Sequence, residues 1–116
     1  MDTLAAESGW SFEQAGNLRQ LREIGALRDI VTVLIDPAML GMRPKEAVQA
    51  VSDAAPKSLP ILCHKASETI QWTELAQAGA FHALLMPLRA SEVRQAFGFV
   101  FEARGRLMQQ AAPILA

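Results

Sequence analysis

Tyrosine is absent from this chain, and cysteine occurs once, at Cys63. A lone cysteine excludes an internal disulfide and a multi-cysteine zinc site, and it fits a reducing, cytoplasmic setting. Charge of one sign is not in surplus either: 11 lysines and arginines stand against 12 acids, for a formal net charge of -1. Proteins that grip nucleic acid by its phosphates carry a basic surplus, so direct nucleic-acid binding is not expected. No apolar run reaches the roughly 18 residues that a membrane span needs. Met1 to Ser8 has neither the basic start nor the apolar stretch of a signal peptide. No membrane contact is expected. Phosphate-cradling glycine loops, internal repeats and low-complexity tracts are missing too. What is present is an ordinary globular composition: 116 residues, 51% hydrophobic and 20% charged. That suits one domain over residues 1–116 with its own core, and it excludes disorder as the main state.

The apolar residues follow two periodicities in turn. Met1 to Ser8 reads as the tail of a helix, broken by Gly9. Trp10 to Gln14 alternates and reads as a short strand. Asn17 to Ile24 carries Leu18, Leu21 and Ile24 at helical spacing, with Gly25 as the stop. Asp29 to Ile35 is nearly continuous in apolar residues, the mark of a strand buried on both faces of a parallel sheet. Asp36-Pro37 ends it, and a loop follows through Gly41. Pro44 to Ala54 reads as a helix, with Pro44 in its first turn and Ala47, Val48 and Val51 inward. Leu59 to Cys63 is a second apolar strand. Ser67 is placed to cap the next helix, whose inner side holds Ile70, Leu75 and Ala78 and which Gly79 ends. Phe81 to Leu85 is a third strand, closed by Met86-Pro87. Ser91 to Gln110 is a long amphipathic helix, and Ala111 to Ala116 is expected to fray. Strand and helix in repeated alternation predict an α/β domain: a parallel sheet with helices on both faces.

In such a sheet, chemistry gathers at the carboxyl ends of the strands. Those ends carry Asp36, Lys65 and Met86-Pro87. An aspartate there can ligate a metal, act as a nucleophile or cap the turn that follows; capping is the commonest. Cys63 and His64 are adjacent, but neighbours on a strand point to opposite faces, so they do not make a nucleophile and base. Cys63 reads as a small core residue. His64 and His82 read as rim or surface residues and form no metal pattern. Trp10 and Trp72 read as packing residues before interface anchors. Met39, Met42 and Met86 fall near the strand ends, as gap fillers or as a partner surface.

Three segments together resemble response-regulator receiver domains of two-component signalling. Val33-Leu34-Ile35-Asp36-Pro37-Ala38-Met39-Leu40-Gly41-Met42 looks like the family's phosphoacceptor strand and loop. Leu59-Pro60-Ile61-Leu62-Cys63-His64-Lys65-Ala66 is similar to its fourth strand. Ala76-Gln77-Ala78-Gly79-Ala80-Phe81 through Met86-Pro87-Leu88 is similar to its alanine-glycine-alanine turn, fifth strand and lysine-proline loop. The likeness runs over roughly residues 9 to 101, in the family's order. It implies a flavodoxin-like doubly wound sheet.

The resemblance also shows what has changed. Asp36 matches the aspartate that takes a phosphoryl group from a histidine kinase. Lys65 stands where the family has a threonine or serine, and Met86 where it has a lysine that pairs with the phosphoryl oxygens. Ala83 stands where an aromatic residue usually switches rotamer. Leu40 replaces the loop proline, and Arg43-Pro44 the usual aspartate-glycine. The Trp10 segment matches the family's second strand. No room remains before it for the first strand, whose two acids hold magnesium. Asp2 is no substitute for that pair. Phosphoryl transfer to a carboxylate needs a metal and cationic donors, so slow or absent phosphorylation is expected. No cofactor is expected, and Mg2+ only if Asp36 is a live phosphoacceptor. Lys65 could pair with Asp36 or point to solvent.

The resemblance implies a regulatory module and no enzyme, with a sensor kinase or effector domain as protein partner. Two alternatives stay open, beside a small α/β enzyme using Asp36 and Lys65, which would need a deep polar pocket. One is a working phosphoacceptor. The other is the regulatory pseudo-receiver part of an RNA-binding antitermination regulator, whose receiver runs into a long helix like Ser91 to Gln110. Apolar residues on more than one side of that helix suggest an interface, with Val93, Phe97, Val100 and Phe101 as candidates and a homodimer as one form of it. The arginines Arg89, Arg94, Arg104 and Arg106 read as a solvated face.

Overall fold

The computed structural model describes residues 14–27, 29–67 and 69–111, with 105–111 as helix backbone only. Apart from Gln14, the expected Trp10 strand lies outside the described residues, as do Met1 to Ser8 and all but the first of the terminal residues expected to fray.

The first helix, α1 (Leu18–Leu27), is fixed at its start by side chains. Asn17 Oδ1 accepts the Gln20 N–H at 2.9 Å, and Gln20 Oε1 accepts the Gly16 N–H at 2.6 Å. Two donors left over at the helix start are thereby satisfied. Gly25 was expected to stop this helix, but α1 runs through it to Leu27. A glycine inside a helix costs only about 1 kcal/mol. Here it gives room: a Cβ on Gly25 would lie 3.3 Å from Ile30 Cδ1.

Strand β1 (Thr32–Ile35) is shorter than the apolar run. Ile30 turns instead into the core beside α1. The expected loop after Asp36 contains a short helix, α2 (Pro37–Leu40), which Asp36 caps and Gly41 closes at φ +63°. Helix α3 (Pro44–Ala54) has the predicted bounds and buries Ala47, Val48 and Val51. Strand β2 (Leu59–His64) follows. Helix α4 (Trp72–Ala78) begins later than expected: Gln71, not Ser67, stands at its N-cap, and no side chain caps it. Its position is set by Leu75 and Ala78, which are buried. Gly79 ends it at φ +116°, where a Cβ would also strike the Ser52 side chain. Strand β3 (His82–Leu85) leads to the long α5 (Ala90–Ala111).

The strands form one parallel sheet in the order β1-β2-β3. Adjacent β2 residues point to opposite faces. Leu62 joins Ile35, Val48, Val51 and Leu75 in a core under α1, α3 and α4. Ile61 joins Leu84, Val93, Ala96, Phe97 and Val100 in a second core under α5. Helices therefore cover both faces, and the architecture is a flavodoxin-like α/β sheet.

Candidate functional site

The three strands end on one rim. The register pairs Ile35 with Leu62, so Asp36 comes level with Cys63 one step on. Lys65 follows β2, and Met86-Pro87 follows β3. The Met86 N–H donates to the His64 carbonyl at 2.7 Å, holding the last two ends together. The Met86–Pro87 peptide bond is cis.

Asp36 is half-buried in extended backbone, at φ -104° and ψ 106°. Its Oδ1 accepts the Ala38 N–H at 3.1 Å. It thus does what an aspartate before Pro37 most often does, and caps α2. A carboxylate has further lone pairs, so the cap leaves it able to meet a cation. Lys65 is exposed on the same rim, Met86 is half-buried and Pro87 is exposed.

Cys63 is buried, as a small core residue should be. Its thiol is pushed up to about 11, chiefly by burial and then by the negative charge of Asp36; a backbone hydrogen bond with Ile35 works the other way. At neutral pH it is a thiol, not the thiolate that nucleophilic chemistry needs. Its place beside Asp36 was missed in the sequence. The signal was there in the parallel register, because two strands that end together bring their last residues side by side.

The histidines stand apart. His64 Nδ1 lies 3.3 Å from the Lys65 carbonyl oxygen, and His82 meets Phe99 edge to face with ring centroids 5.8 Å apart. Among the described residues, no group of three or more His, Cys, Asp or Glu side chains could hold a metal ion.

A groove opens beside Asp36. Consecutive β1 residues Val33, Leu34 and Ile35 line it. Leu18 and Leu21 of α1, Met39 and Leu40 of α2 and Val51 of α3 line it as well.

The long helix sorts the candidate interface residues. Val93, Phe97 and Val100 are buried against the sheet, and Phe101 alone of the four is exposed, at 67%. Phe99 is 42% exposed, and Trp72, Leu85 and Leu88 also show surface. Arg104 binds Asp29 Oδ2 at 2.6 Å and the Lys57 carbonyl at 3.2 Å. No described helix is long and apolar enough to cross a membrane.

No protein-family model and no curated protein matches the sequence. Solved structures do match. The chain superposes on the signal receiver domain of a Luxo repressor protein from Vibrio parahaemolyticus with a TM-score of 0.74 at 12% identity, over 97% of this chain and 85% of that one. It also matches a streptococcal redox sensor of a family that evolved from two-component response regulators, with a TM-score of 0.67 at 13% identity. That match covers 99% of this chain but 51% of the sensor, so the chain spans about half of that protein's length. A pilus assembly protein from Burkholderia thailandensis matches with a TM-score of 0.55 at 19% identity, over 86% of this chain and 84% of that one. At these identities the likeness is one of fold. The chain has the fold of a response-regulator receiver domain, with Asp36 at the carboxyl end of β1.

Proposed function

We propose that this domain is a non-enzymatic signalling module of the response-regulator type, working through protein contacts and independent of phosphorylation at Asp36. The supporting observation is the company that Asp36 keeps. The fold sets the aspartate at the strand end, but its level neighbour is the Cys63 thiol, and Met86 follows the third strand. Neither carries positive charge; the lysine of these strand ends, Lys65, is exposed and follows β2, where the resemblance places a threonine or serine. Phosphoryl transfer to a carboxylate depends on neutralising the charge of the moving group.

In this reading Asp36 holds no magnesium ion. Magnesium is held through carboxylates together with waters and phosphate oxygens, and the described residues gather no acidic cluster around Asp36. Asp36 already spends one oxygen on the Ala38 N–H. Its role in this reading is structural: it sets the entry to α2 and so the shape of the rim. The partner is a sensor kinase or an effector domain. Exposed Phe99, Phe101, Leu85 and Leu88 supply apolar surface for such contacts.

The test is intact-mass spectrometry after incubation with magnesium and acetyl phosphate, on protein shown to be folded. Asp36→Asn is the control, because asparagine keeps an oxygen to cap α2. The expected result is an unchanged mass. An adduct of about 80 Da, present in the parent and lost in the variant, would make Asp36 a live acceptor and end this reading.

A further inference from the structure

We draw no further inference here: the strongest candidate, the exposed apolar surface that Phe99 and Phe101 add to α5, carries nothing beyond the contacts proposed above, because nothing in the structure shows what covers it.

Discussion

Strands β1 and β2 look alike as text but sit differently in the protein. Each is a run of aliphatic residues after a turn. Ile61 and Leu62 of β2 are 0% exposed, whereas Thr32, Val33 and Leu34 of β1 are only half-buried. The difference comes from neighbours. β2 has a strand on either side and a helical layer over each face. Among the described residues β1 has a strand on one side only. A continuous apolar run therefore reports that both faces of a strand want cover; it does not report whether both edges have it.

The largest test of that contrast is to cut the same side chain from each strand. Leu62→Ala should cost about 2–5 kcal/mol, because a buried leucine loses both its transfer energy and its contacts around the cavity left behind. Leu34→Ala should cost about 1 kcal/mol, because water can fill the space of a half-buried side chain. Urea unfolding of both variants measures the gap. Equal losses would show that β1 is covered as fully as β2, and the edge argument would fall with it.

Legibility in the sequence divided along the same line. Helix α3 was readable to the residue, since Pro44 fixes its start and Ala47, Val48 and Val51 mark one face. Gly79 was readable because only a residue without a Cβ tolerates its positive φ and its approach to Ser52. Gly25 misled because glycine marks close approach as well as helix ends, and here it makes room for Ile30. The short α2 was hidden because four residues are too few to show a period. At the site, Asp36 was legible from an apolar run ending in an aspartate, but Cys63 beside it was not, since register joins residues far apart in sequence. The interface candidates show a different limit. Val93, Phe97 and Val100 recur at the spacing that defines the inward stripe of α5, so the pattern that predicts the helix also predicts their burial. Phe99 and Phe101 fall off that stripe and are the exposed pair.

The second test uses pH, where the last residue of the β2 core meets the rim. Cys63 ionises at about 11 in the folded chain, against an ordinary value of 9.0. Between these values the unfolded chain has already lost a proton that the folded chain still holds. Stability from this group is therefore whole below about pH 9 and declines as the pH rises toward 11. Thermal unfolding across that window should show a steeper loss for the parent than for Cys63→Ala, since other titrating groups are common to both. Parallel curves would mean that Cys63 is neither as buried nor as close to Asp36 as the register places it.

The smallest expected effect lies where the two regions are tied together. Arg104, on the helix that packs over β2 and β3, binds Asp29 just before β1. The Asp29 side chain is 64% exposed and that of Arg104 24% exposed, so water and salt screen the pair, and it should contribute only about 0–1 kcal/mol. Arg104 also donates to the Lys57 carbonyl, which belongs to the turn before β2. Asp29→Asn removes the ion pair and leaves that second bond, so its cost should fade as salt is raised. Arg104→Met removes both and keeps most of the apolar stem, so a part of its cost should persist in high salt. If both variants lost their effect together in salt, the tie would be electrostatic alone. A residual cost confined to Arg104→Met would instead show that the arginine anchors α5 to the backbone ahead of the central strand, with the edge strand held by the weaker of its two contacts.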